Sequence, residues 1–551
     1  MRWGLAPLSA LLASFASRPV EATTRAAPRL AVVVVVDQLG ASYIARYRHL
    51  LDGGIGSMIA RGAYFPEGEH DYANTATGPG HATIATGAYP SEHGIVNNDW
   101  RDERTGAEVY CVGVRATEAT PENLRAPTLA DTLRLYTRGQ ARVVSLAIKD
   151  RAAVLSGGRR PTAVVFYDEL IGSFVSGRYA EKTELPWLAS FEVNARARHG
   201  RSWNRLRPDL DYEREAGPDD GPWETDVPGI GKTFPRVLGT GLDVADPLWS
   251  RAFRVTPDAL DGLFELADRA IEAESLGRGP STDLLFIGAS SLDFAGHAFG
   301  PTSQEALDQL LRTDRRLGEL EKKLDRLLGA GRTLWALTGD HGMADAPEAA
   351  TLAGLPEERV SIDATSAALD AELAKLVRPG EAAPKVASLD PPQLYLQHVP
   401  NVDRPLARRA AARALAERRG VIEALAIDDL EKLSSTQKVW FERILHPGRR
   451  ADVYLRTEPL VLFSWETGAN HGSPHVHDMR VPIALKGPGV VRVVDPRPVS
   501  VTRIAPTLAI LLGIPPPSSA HEAPLPIPGL EPSVRAGPRP VQKLAPRARP
   551  N

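Results

Sequence analysis

Leu30–Asp37 reads LAVVVVVD, an unbroken apolar run that ends in a carboxylate. β-Branched side chains crowd a helix and suit a pleated strand. With no polar residue in alternation, neither face of such a strand can lie against water, which is the mark of a strand inside a parallel sheet. Pro28 and Gly40 bound the run. In open α/β sheets ligands gather beyond the carboxyl ends of the strands, where Asp37 falls. Taken alone, an Asp in that position is usually a turn or cap residue. Its weight depends on what the other strands end in.

Three later runs have the same form. Arg142–Ile148 leads into Lys149-Asp150-Arg151, and Asp283–Ile287 leads into Ser290–His297, with Asp293 and His297 four apart. Thr333–Thr338 leads into Gly339-Asp340-His341-Gly342. Asp and His side chains beyond strand ends are metal-type ligands, and Asp293 and His297 can converge on one ion from a tight turn. Asn470-His471-Gly472-Ser473-Pro474 supplies one more His ahead of a Val481–Ala484 strand. Helical stretches alternate with these strands: Pro127–Tyr136, Pro257–Ala273, a leucine stripe from Leu307 to Leu328 behind a Thr302-x-x-Glu305 capping box, and Arg503–Leu512. The expectation is an α/β fold: a mostly parallel central sheet, helices on both faces, and insertions capping its C-terminal edge.

Asn74–Asn98 (NTATGPGHATIATGAYPSEHGIVNN) carries the chemistry. Thr77 precedes Gly78-Pro79-Gly80, which lets the chain turn tightly into a compact helix. A hydroxyl at a helix N-terminus sits where backbone N–H groups and the dipole favour an anion. An isolated Thr there would be an N-cap and nothing more.

Thr77-Gly78-Pro79-Gly80-His81, Thr86-Gly87, Tyr89-Pro90, His93-Gly94-Ile95 and Asn97-Asn98 resemble the nucleophile segment of the alkaline phosphatase superfamily. They are closest to its phosphate-irrepressible alkaline phosphatase and type I phosphodiesterase/nucleotide pyrophosphatase branches. The resemblance runs from about Val32 to about Pro517. It implies that Thr77 is the nucleophile and that Asn98 binds a phosphoryl oxygen. It also implies two zinc ions: one held by Asp37, Asp340 and His341 and by the Thr77 oxygen, the other by Asp293, His297 and His471. Neither shell is closed by protein alone, as catalytic ions require. Lys149 and Arg151 resemble the Lys-x-Arg with which the phosphate-irrepressible branch grips phosphoryl oxygens, and the Gly78 backbone N–H is a further contact. Two cations aimed at the transferred group favour a dianionic monoester over a diester.

The implied activity is hydrolysis of phosphate monoesters through a phosphothreonine, with an alkaline optimum. A phosphodiesterase or nucleotide pyrophosphatase is the alternative, since it shares every metal ligand. A sulfatase needs a Cys or Ser nucleophile in a Cys/Ser-x-Pro-x-Arg context that is absent here. A dead binding protein on the same fold would lack a ligand, and none is missing. Thr75 is the second candidate nucleophile, but it breaks the spacing to Asn98. His81 and His93 read as structural. His475 and His477 stand where the branch carries aromatic residues, and read as pocket walls.

At 551 residues the chain calls for a large elaborated domain. A net charge of −3 gives no footprint for nucleic acid. One cysteine, Cys111, excludes an intrachain disulfide and a cysteine-rich zinc site. The organisation expected is a signal peptide over 1–22, a catalytic domain over 28–517 with insertions at about 180–280 and 345–450, and a disordered Pro-rich tail over 530–551. The apolar Leu5–Phe15 run behind Arg2 carries the leader, and no other run is long enough to span a membrane. These features describe a periplasmic or secreted enzyme acting on small phosphate esters, with no membrane span and no obligate protein partner.

Overall fold

A computed structural model describes residues 27–530 except 190, 192–196, 353, 356–357, 434, 460 and 465–466. The expected leader, and all of the expected tail but its first residue, lie outside the described residues. One ten-stranded sheet organises the molecule. Its strands are β1 (Leu30–Val36), β2 (Ala63–Glu69), β3 (Val143–Ala147), β4 (Ala163–Asp168), β5 (Ser173–Ser176), β6 (Asp283–Ala289), β7 (Thr333–Thr338), β8 (Arg480–Lys486), β9 (Val493–Val494) and β10 (Val499–Ser500). The order is β9-β2-β8-β7-β1-β6-β3-β4-β5, with β10 beside β2. The run β7-β1-β6-β3-β4 is parallel throughout, whereas β8 is antiparallel to both neighbours and β5 to β4. The fold is thus the mostly parallel α/β sheet that the apolar runs imply.

β1 shows why these runs carry no alternation. Leu30, Val32, Val34 and Val36 enter one core, with Leu285 and Ile287 of β6 and Leu337 of β7. Ala31, Val33 and Val35 enter the core on the other face, with Leu284, Phe286 and Leu334. Helices cover both faces, so every residue of β1 is buried. The helices that matter for the site are α1 (Thr77–Thr86), α2 (Asp150–Gly157), α3 (Ser291–Phe299) and α4 (Gln304–Leu328).

Three local expectations shift. α4 is capped by Ser303, whose Oγ accepts the Ala306 N–H at 3.2 Å, and not by Thr302, whose hydroxyl donates to Asp345 at 2.8 Å. The expected insertion at 345–450 continues to Ser464: Lys385–Asp390, Gln393–Gln397, Val453–Thr457 and Val421–Ala426 form an antiparallel four-stranded sheet, and Glu358–Ser361 pairs with Val461–Ser464. This unit has its own apolar core around Leu369, Leu394, Leu415 and Leu455. The domain also runs on past Pro517, because Leu525, Ile527 and Leu530 are buried against Leu508 and the sheet core. Apolar residues set among prolines thus anchor the chain without a regular element.

Candidate active site

Four adjacent parallel strands, β7-β1-β6-β3, each end in a site residue. Asp37 follows β1 directly; Gln38, at φ 67°, turns the chain there and gives its N–H to Asp340 Oδ1 at 3.0 Å. Asp340 and His341 follow β7, and Lys149 follows β3 as the residue before α2. Past β6 the chain enters α3 at once. Asp293 and His297 therefore meet as an i,i+4 pair on a helix, with Oδ1 and Nε2 3.5 Å apart, and not in the tight turn expected. His471 comes from the loop before β8 and is aimed by its Nδ1, 2.8 Å from the Thr75 carbonyl.

Thr77 is the first residue of α1, and Ala76 is the cap residue. The Thr77 hydroxyl is therefore not spent on capping. Lys149 Nζ stands 3.1 Å from Thr77 Oγ1, and Arg151 Nη2 and His341 Nε2 each stand 3.5 Å from it. Thr75, by contrast, gives its hydroxyl to the Ser473 carbonyl at 3.0 Å. Gly80 allows this approach, since a Cβ there would lie 2.3 Å from the Asp340 carbonyl oxygen. Gly78 donates its N–H to Asn98 Oδ1 at 2.8 Å, so the Asn98 amide is held by its oxygen and its NH2 end is the one left to donate.

Two groups of ligand-type atoms form. Asp293, His297 and His471 make one; Asp37, His81 and Asp340 make the other, with the atoms of each lying within 4.8 Å of one another. His341 lies between them: its Nε2 is 3.3 Å from Asp340 Oδ2 and 3.8 Å from Asp293 Oδ1, and its ring stacks on His471 at 3.5 Å. His81, read from sequence as structural, is fully buried between Asp37 (3.5 Å) and Asp340 (3.3 Å), and these carboxylates pull its pKa up against burial. The signal for it was its i+4 position from Thr77 on one helix face. His93 is held between Thr83 Oγ1 and the Ile95 N–H.

These sites suit divalent cations. Both Asp37 oxygens, Asp340 Oδ2, Asp293 Oδ1 and His81 Nε2 are buried without a hydrogen bond, an arrangement too costly to keep unless a charge neutralises it. Lys149 supplies part of that charge, 2.6 Å from Asp293 Oδ2 and 3.0 Å from Asp37 Oδ2. Burial disfavours the Asp293 carboxylate, but Lys149 and the neighbouring histidines outweigh it and hold the group well below the usual range. His341 is pushed down to about 3, chiefly by burial, which leaves a neutral ligand-type imidazole.

A second arrangement was not foreseen from the sequence. Tyr110 donates to Asp150 Oδ1 at 2.5 Å, and the same oxygen accepts the Arg151 N–H at 2.7 Å. Arg151 Nη1 reaches the Tyr110 hydroxyl at 3.5 Å. Arg115 lies 3.8 Å over the Tyr110 ring and pairs with Asp99 at 3.3 Å. The Cys111 N–H holds the Asn98 carbonyl at 2.8 Å, so one hairpin positions both Asn98 and Arg151.

A family model described as type I phosphodiesterase / nucleotide pyrophosphatase matches residues 31–462. The chain belongs to that family. Among its relatives, the chain is 31% identical over 522 residues to alkaline phosphatase PafA of Elizabethkingia meningoseptica, covering 90% of this chain and 94% of that one. It is 30% identical over 523 residues to alkaline phosphatase PhoK of a Sphingomonas species, covering 89% of each. The crystal structure of wild-type PafA superposes with a TM-score of 0.83 at 29% identity, over 91% of this chain and 98% of that one. Within the alkaline phosphatase superfamily, then, this phosphodiesterase-family chain is a PafA-like hydrolase.

Proposed function

We propose that this hydrolase cleaves phosphate monoesters, releasing inorganic phosphate through a phosphothreonine at Thr77 in a site that holds two zinc ions. The observation that carries the monoester reading is the convergence of Lys149 and Arg151 on Thr77 Oγ1, at 3.1 and 3.5 Å. The relatives named alkaline phosphatases support it. Asp37, Asp340, His341 and the Thr77 oxygen would hold one ion, with His81 beside them; Asp293, His297 and His471 would hold the other. Bound there, the two ions supply a lowered Thr77 pKa and a counter-charge for the leaving oxygen.

The chain's own residues do the rest. Thr77 Oγ1 attacks phosphorus and yields its proton to solvent, and the ester oxygen departs on the opposite side and takes up a proton as the alcohol. Water then hydrolyses the Thr77 ester, releasing phosphate and returning the Thr77 hydroxyl. Asn98 through its NH2, Lys149 and Arg151 hold the non-bridging oxygens, so that catalysis rests on position and charge. The Gly78 N–H, expected as a further contact, is instead taken by Asn98 Oδ1 and positions that amide. We also place the enzyme outside the cytoplasm, on the Leu5–Phe15 leader pattern. Among the described residues no helix is long and apolar enough to cross a membrane.

The Lys149→Ala/Arg151→Ala variant tests the monoester reading. Each charge-assisted contact contributes roughly 2–4 kcal/mol in a site that excludes water. The pair should therefore cost roughly three to six orders of magnitude in monoester kcat/KM, and far less on a diester. Equal losses on both substrates would give the phosphodiesterase reading the lead.

A further inference from the structure

His475 and His477 line a cleft beside the site, together with Asp345, Leu462, Phe463 and Asp478, and His471 forms part of its wall. His471 also belongs to the Asp293/His297 group. On the function proposed above, that group faces the departing oxygen, so the cleft lies where a leaving group would go. We propose that this cleft selects phosphate monoesters whose leaving group carries no negative charge, and discriminates against pyrophosphate, bisphosphates and other anionic leaving groups.

The argument is one of charge. Lys149 and Arg151 crowd the Thr77 side, but none of the described residues lining the cleft is a lysine or arginine. Its ionisable groups besides the histidines are two carboxyls. Asp478 Oδ2 is fixed by the Gly472 and Ser473 N–H groups and the Ser473 hydroxyl, at 3.1, 2.8 and 2.6 Å. Its Oδ1 is buried without a hydrogen bond, 3.6 Å from His477 Nε2. Asp345 accepts from Thr302 at 2.8 Å. His475 sits 3.1 Å from the Thr457 carbonyl, and burial pushes it down to about 4, so it brings no positive charge at neutral or alkaline pH. Of the nearby arginines, Arg359 pairs with Glu348 at 2.7 Å, Arg456 lies 3.7 Å from Glu423, and Arg46 gives an N–H to the Glu215 carbonyl at 2.8 Å. An anion entering here would lose water, find no lysine or arginine among the described lining residues and face carboxyls. A neutral alcohol would find apolar walls and two imidazole edges. Such repulsion is an ordinary route to specificity.

The test compares three phenyl phosphates of similar size, bearing a para-carboxylate, a para-carboxamide and a para-aminomethyl group. A charge about 6 Å from its counterpart, in a partly wet cleft, is worth about tenfold in rate. The wild-type enzyme should therefore turn over the carboxylate about tenfold less efficiently than the carboxamide, and the cationic ester at least as well as the carboxamide. His477→Lys, at a half-exposed position, should raise the carboxylate-to-carboxamide ratio of kcat/KM about tenfold, and Leu462→Lys should act in the same direction. Comparing ratios between enzymes cancels the intrinsic reactivity of each ester. Wild-type ratios within about twofold of one, or lysine variants that leave the ratio unchanged, would overturn the proposal. Absence of turnover on all three esters would overturn instead the monoesterase reading on which it rests.

Discussion

On the Thr77 side of the site, the facing groups leave a strand end or the first turn of a helix: Asp37 from β1, Asp340 and His341 from the adjoining β7, Lys149 from β3, and Thr77 from the start of α1. On the His475 side the walls come from the loop before β8, from the Asp345 segment and from the inserted unit that ends at Ser464. The first side is dense in charge, with Lys149 bridging two carboxylates. The cleft has no lysine or arginine among its described lining residues. A parallel sheet buried on both faces cannot shift one strand end without disturbing its neighbours, so it suits groups that must meet within tenths of an ångström. Loops and an insertion with its own core can vary without that cost, which suits the part of a substrate that differs between esters.

This contrast is sharpest at the nucleophile. Thr77→Ala should lower turnover by about 10⁴-fold or more, while leaving the melting temperature close to wild type, because Thr77 does not cap its helix. Thr75→Ala should be mild by comparison. Acid quench and peptide mapping would locate the phosphoryl group, and label on Thr75 would break the assignment.

Stripping divalent cations with a chelator should abolish activity and also lower the melting temperature by several degrees, since ligands that bind only the folded state stabilise it. Metal analysis of the active protein should return close to two zinc ions per chain, and full activity in a metal-free preparation would refute the reading.

Tyr110→Phe keeps the ring under Arg115 and removes the contacts of its hydroxyl with Asp150 and Arg151. It should cost about tenfold in monoester kcat/KM and lower the monoester-to-diester ratio. A purely structural tyrosine would leave that ratio unmoved.

The smallest effect lies away from both sides and serves as their control. Buried Arg236 holds Glu305 at 2.6 Å and has Glu224 at 3.7 Å, one cation between two carboxyls. Burial, reinforced for Glu224 by the charge on Glu305, pushes Glu305 up to about 7 and Glu224 up to about 8. The folded state then holds more protons than the unfolded chain between about pH 4.5 and 8, so stability should fall as pH rises through that window. Glu224→Gln should flatten the decline by about 1–2 kcal/mol, read as melting temperature against pH, and leave the substrate ratios unchanged.

The sequence by itself determined the sheet and the strand-end residues. A β-branched run without alternation has one stable setting, and the residue after it must emerge at the ligand edge, so Asp37, Lys149, Asp340 and the α3 pair could be named from local pattern. The resemblance that rests on the Thr77–Asn98 motif pointed to the chemistry of the same positions. Only the tertiary structure decided what depends on contacts between distant segments. His81 stands between Asp37 and Asp340 because α1 packs across two strand ends. Tyr110 reaches Asp150 across 40 positions of chain. Leu525 and Ile527 keep a Pro-rich segment in the core. No local period announces any of these, since each follows from where the sheet brings remote residues together. The cleft at His475 and His477, with two carboxyls and no lysine or arginine among its described lining residues, is of the same kind: its sign is a sum over segments up to 134 residues apart, from Ala344 to Asp478.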